Sequence, residues 1–91
     1  MDIIREGVAG SLESSDALIR VSPGTQGIQM EIESVVLAQF GDDIRRAVLE
    51  VAEALGVSHA AISVNDRGAL ECTLKARVET ALLRAAKGGD A

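Results

Sequence analysis

An α+β fold is predicted for this 91-residue chain, and two changes of hydrophobic period predict it. Apolar residues alternate with period two from residue 16 to residue 33, and the spacing widens to 3.6 from Phe40 to Leu55. A short period-two run then returns at Ala60 to Asn65, followed by a second helical stripe from Leu70 to Ala85. Strands and amphipathic helices are the conformations that turn those two spacings into one apolar face each.

The first strand covers Asp16 to Ser22, where Ala17, Ile19 and Val21 face one way, and Pro23 and Gly24 end it. In the second, Ile28, Met30 and Ile32 oppose Gln29, Glu31 and Glu33, the pattern of a sheet with one wet side. With only Thr25 to Gly27 completing the connection, an antiparallel hairpin of these two strands is expected. Ser34 is a candidate N-cap for the first helix, whose buried stripe reads Phe40, Ile44, Ala47, Val48, Val51 and Leu55. Gly56 suits a left-handed C-cap. Ile62 and Val64 mark a third strand, ended by Asn65, Asp66 and Gly68. The second helix starts near Ala69 and buries Leu70, Leu74, Val78, Ala81, Leu82 and Ala85, with Glu71 and Lys75 as an i,i+4 surface pair. Residues 87–91 read as a flexible tail. The order is β-β-α-β-α, with room for one more short strand between Gly7 and Leu12. It gives a small mixed or antiparallel sheet with both helices on one face.

Length and composition fit one domain, residues 1–91, with one core. Hydrophobic residues are 47% and charged residues 25%, a globular balance, but Phe40 is the only aromatic, so the core is aliphatic. A net charge of −5, with nine basic residues interleaved among acids, argues against a nucleic-acid partner. One cysteine permits no intrachain disulfide, and no apolar run reaches the length of a membrane span or a signal sequence. A cytoplasmic chain with no membrane partner is the expectation.

Catalytic groups are sparse. His59 reads as a surface or edge histidine at a strand start rather than a general base. Cys72 reads as a small, half-buried structural cysteine. Glu31 with Glu33, and Asp42 with Asp43, are carboxylate pairs on solvated faces without a third metal ligand. No phosphate loop follows Gly24 and Gly27. With no nucleophile, base and orienting group in one constellation, an independent enzyme is the weakest reading, and neither a catalytic nor a metal-binding residue is assigned. What stands out is the serine cluster Ser11, Ser14 and Ser15 within Ala9 to Asp16. Its hydroxyls suit turns and caps. A serine can also anchor a phosphodiester-linked carrier arm with no local base, if another enzyme attaches the arm.

Three motifs in order carry a resemblance. They are Ala-Gly-Ser-Leu-Glu-Ser-Ser-Asp at Ala9 to Asp16, Gln-Phe-Gly-Asp at Gln39 to Asp42, and Asp-Arg-Gly-Ala-Leu-Glu-Cys at Asp66 to Cys72 with Lys-Ala-Arg-Val-Glu at Lys75 to Glu79. From about Val8 to Ala85 the chain resembles the citrate lyase acyl carrier proteins, the γ subunits of bacterial citrate lyase. The resemblance implies a non-catalytic carrier of 2'-(5''-phosphoribosyl)-3'-dephospho-CoA, attached by a phosphodiester to the serine that matches by motif position, Ser14. The family often has Gly where this chain has Ser15. Acetyl and citryl thioesters on the arm would be presented to an α (transferase) and a β (lyase) subunit, which cleave citrate to acetate and oxaloacetate. A prosthetic-group transferase and an acetylating ligase are the other implied partners. Such a carrier needs residues 7–16 as an exposed attachment segment, on a mobile lead into the first strand. The rival readings are a malonate decarboxylase-type carrier, with the same kind of group, and a small interaction domain with no group.

Overall fold

The computed structural model describes residues 1–86; the predicted tail at 87–91 lies outside them. The elements are β1 (Gly7–Gly10), β2 (Ala17–Ser22), β3 (Ile28–Ser34), α1 (Leu37–Ala54), β4 (Ala60–Asp66) and α2 (Glu71–Ala85). They form a four-stranded mixed sheet in the order β1-β2-β4-β3, with the α+β layering the periodicity predicts and the extra N-terminal strand present as β1.

The expected hairpin of β2 and β3 does not form. β4 lies between them, antiparallel to β2 and parallel to β3, with Ile19 opposite Val64 and Ile32 also opposite Val64. Alternation reports that a strand is half-buried but says nothing about its neighbour. The long segment after β3 contains α1, which is the crossover a parallel pair requires. The β2–β3 connection therefore crosses the start of β4. Gly24 makes that crossing possible, because a Cβ there would stand 2.8 Å from the Ala60 carbonyl carbon. The Ala60 N–H donates to the Gly27 carbonyl at 3.1 Å as the connection descends.

Both helices cover one sheet face. Ala17, Ile19, Val21, Ala60, Ile62 and Val64 point into that layer with Ile44, Val48, Leu74, Val78 and Leu82, and all are buried. The numerous alanines let helix and sheet backbones approach closely, so a core without aromatics still fills its volume. Val51 and Leu55 pack at its margin, and Gly56, at φ +69°, ends α1 in the left-handed conformation expected of it.

Two predicted core positions are corrected. Phe40 is 49% exposed and Leu70 is 71% exposed. Both belong to the apolar period, yet they sit in the first turn of α1 and at the N-cap of α2, ahead of the first buried residues of those helices, Ile44 and Leu74. Ser34 does not cap α1 directly. Val36 holds the N-cap position, and Ser34 Oγ accepts its N–H at 3.1 Å. Lys75 reaches across to Glu50 on α1 at 2.7 Å, closer than its helical neighbour Glu71 at 3.9 Å.

Candidate functional site

The serine cluster forms the connection between β1 and β2. Gly7 and Ala9 are buried within β1, so the first part of the expected exposed segment 7–16 is a paired strand; exposure begins beyond it, and Leu12 to Ser15 are exposed. The Asp16 N–H donates to the Glu13 carbonyl at 3.2 Å, closing a four-residue turn with Ser14 and Ser15 at its centre. Ser15 has φ +66° and is the chain's only described non-glycine residue with positive φ. A positive φ at the third residue alone is the pattern of a type II turn, in which the second residue, here Ser14, stands at the apex.

The turn is locked onto β4. The Ser15 N–H donates to the Arg67 carbonyl at 2.9 Å, and the Arg67 N–H donates to the Asp16 carbonyl at 2.9 Å. Two residues of one strand thus oppose one of the other, with the first left-handed. This is a G1-type β-bulge, whose left-handed position is normally glycine.

Each serine has a different role. Ser11 Oγ donates to Asp16 Oδ2 at 2.7 Å and accepts the Glu13 N–H at 3.2 Å, so it organises the loop. Ser15 supplies the strained backbone. Ser14 is exposed, and its hydroxyl makes no hydrogen bond among the described residues. Asp16 completes the frame: Arg77 of α2 binds its carboxylate with Nε at 2.9 Å and Nη2 at 3.3 Å, and the Ala17 N–H adds a bond at 2.8 Å. The Arg77 guanidinium first, then the Ser11 hydroxyl, hold the Asp16 carboxyl well below the usual carboxylate range.

Asp66, a predicted turn former at the head of the third motif, has a structural role. It is 3% exposed, and its carboxylate accepts the Ser34 hydroxyl at 2.7 Å and the Ala69 N–H at 2.9 Å. It therefore joins the ends of β3 and β4 to the start of α2, behind the turn that carries Ser14. Its spacing before Gly68 and Ala69, as in an Asx turn, was the available signal. Asp66 also lines an apolar cleft of about 400 Å³, together with Phe40, Ile44, Leu70 and Leu74.

The other candidates stay apart. His59 is exposed, and its Nδ1 lies 3.0 Å from Ser58 Oγ, a neighbour the sequence reading passed over. Cys72 is exposed in the first turn of α2, not half-buried as expected. Glu33 accepts from Asn65 at 3.2 Å and Asp43 pairs with Arg46 at 3.0 Å. Among the described residues no three His, Cys, Asp or Glu side chains cluster for a metal, and no helix is long and apolar enough to cross a membrane.

Comparison with known proteins bears on what this surface serves. The citrate lyase acyl carrier protein 2 of Salmonella typhimurium is 52% identical over 88 residues, which are 96% of this chain and 91% of that protein. The chain belongs to the citrate lyase acyl carrier protein family. The carriers of Klebsiella pneumoniae and Escherichia fergusonii are 50% and 48% identical over the same extent. Residues 4–85 of this carrier also match the family model described as malonate decarboxylase delta subunit (MdcD). In fold, it is similar to a chain in the crystal structure of a Pseudomonas malonate decarboxylase hetero-tetramer in complex with malonate. The TM-score is 0.64 at 18% identity, covering 90% of this chain and 84% of that one.

Proposed function

We propose that this acyl carrier is the non-catalytic carrier subunit of a bacterial citrate lyase, and that Ser14 bears 2'-(5''-phosphoribosyl)-3'-dephospho-CoA through a phosphodiester. The observation that carries the assignment to Ser14 is its place at the apex of the pinned turn, exposed and with an uncommitted hydroxyl. The Ser11 hydroxyl is occupied by Asp16, and Ser15 sits in the left-handed bulge position with its main chain bonded to Arg67. The donor set fits the group: an attachment enzyme has open access to the Ser14 oxygen. Its hydroxyl is hydrogen-bonded to no base among the described residues, so the serine is inert until that enzyme acts.

When bound, the group supplies a thiol whose thioester activates an acetyl or citryl carbonyl. The chain's own work is positional. A rigid turn fixes the root of the arm, and a tether raises the local concentration of its acyl end at successive active sites on the α and β subunits. This division of labour matches a surface without a catalytic constellation.

A malonate decarboxylase-type carrier is the second reading, favoured by the family model's description and the fold likeness. Identities near 50% to citrate lyase carriers place it second. Rebuilding each complex with this chain separates them: citrate cleavage supported by the parent and lost in Ser14→Ala is the expected result. Malonate decarboxylation alone supports the second reading, and full citrate cleavage with Ser14→Ala overturns the assignment of Ser14.

A further inference from the structure

Eight of the nine basic residues lie within the described part of the chain. Arg20, Arg46, Lys75 and Arg77 pair with carboxylates. Arg5 and Arg84 donate to main-chain carbonyls. Only Arg45 and Arg67 make neither kind of contact among the described residues, and both are exposed. Arg45 lies midway along α1. Arg67 is the residue opposite the G1-type bulge, and its main chain is bonded on both sides to Ser15 and Asp16.

That placement fixes the main chain of a residue with an uncommitted guanidinium against the turn that carries Ser14, through backbone bonds to the two residues after it, Ser15 and Asp16. The charges around Ser14 are otherwise poorly suited to an anion. Glu13 precedes it on the turn and is exposed, Asp16 follows, and Arg77 is committed to Asp16 in two-point geometry. An ester phosphate at Ser14 would meet two carboxylates and one committed guanidinium, leaving Arg67 as the available counter-charge. A guanidinium is the side chain best shaped to hold phosphate oxygens through paired N–H donors.

We propose that Arg67 is a phosphate-positioning residue, which binds the phosphate ester at Ser14 and sets the direction in which the arm leaves the turn. The proposal rests on the reading of Ser14 as a phosphodiester anchor, and it adds a residue whose work is to hold the root of the arm against the end of β4.

The test uses phosphoserine installed at position 14 of the full chain, titrated by ³¹P NMR at low salt. A free phosphoserine gives up its second proton near pH 6. With Arg67 present the midpoint is expected to lie about half a unit below that of the Arg67→Gln chain, with Arg67→Lys between them. Arg45→Gln should leave it unchanged, and 1 M salt should shrink the difference. Urea midpoints of all four chains show that the fold is intact, which the exposure of both arginines leads one to expect. Equal midpoints for the parent and Arg67→Gln would overturn the role of Arg67. Because the phosphate is installed, that outcome leaves the attachment reading standing; failure of the attachment reading would appear separately, as an unmodified Ser14 peptide from an active native complex.

Discussion

Arg77 and Asp16 join the second helix to the serine turn: two N–H groups of one guanidinium, at 2.9 and 3.3 Å, hold the two oxygens of one carboxylate. The pair spans 61 residues of sequence, so the turn is tied to α2 as well as to the end of β4. The Asp16 side chain is 15% exposed and that of Arg77 43%, a partly sheltered pair at the edge of the core.

The pair sets an expected pH dependence. The Asp16 carboxyl in the folded chain ionises well below its unfolded value, chiefly through Arg77. The charged form is thus stabilised by folding. That contribution is fully present above the unfolded carboxylate range near pH 4 and is lost as pH falls below it toward the folded value. Melting temperature followed from pH 7 to pH 2 should drop on the acid side. In Asp16→Asn the drop should be shallower, starting from a lower plateau; an unchanged acid slope would remove Asp16 from the account.

The backbone at Ser15 should be improvable. A non-glycine residue at φ +66° carries a left-handed penalty of roughly 1–2 kcal/mol, offset in part by the extra unfolded-state freedom of glycine. Ser15→Gly is expected to raise stability by about 0.5–1 kcal/mol in urea denaturation. Ser15→Val, with a branched side chain in the same conformation, should lower it.

Asp66 should behave as a structural carboxylate. Asp66→Ala leaves the Ser34 hydroxyl and the Ala69 N–H without their partner in a partly buried place, and a loss of about 2–3 kcal/mol is expected from two bonds to a carboxylate. Ser34→Ala removes one of them and should cost roughly 1–2 kcal/mol. Chemical denaturation of both variants and of the double variant measures the coupling: the double should fall short of the sum.

These variants also show what was legible beforehand. Alternation at Ala17, Ile19 and Val21 and helical spacing at Ile44, Val48 and Val78 are local signals, and the elements appear where they point. The placing of β4 between β2 and β3 is long-range, and no residue within Ile28 to Ser34 encodes it. Phe40 and Leu70 were misplaced because a period marks a face without marking where along that face burial begins. At the site, the serine cluster was visible, but the division of labour within it was not. It depends on Arg67 and Arg77, more than fifty residues farther along the chain.

Ser14→Ala should leave the fold untouched, since the hydroxyl bonds nothing among the described residues. Its stability to urea should match the parent within about 0.5 kcal/mol, and it should accept no arm from the attachment enzyme. A destabilised variant would show that Ser14 is part of the turn's framework instead.

The central claim is that a covalent arm roots at Ser14, and intact mass followed by peptide mapping of the carrier purified within its native complex tests it most directly. The account predicts the mass of a phosphoribosyl dephospho-CoA adduct, localised to Ser14 on the peptide spanning residues 6–20. An unmodified peptide from an active complex, or an adduct on Ser11 or Ser15, would contradict it.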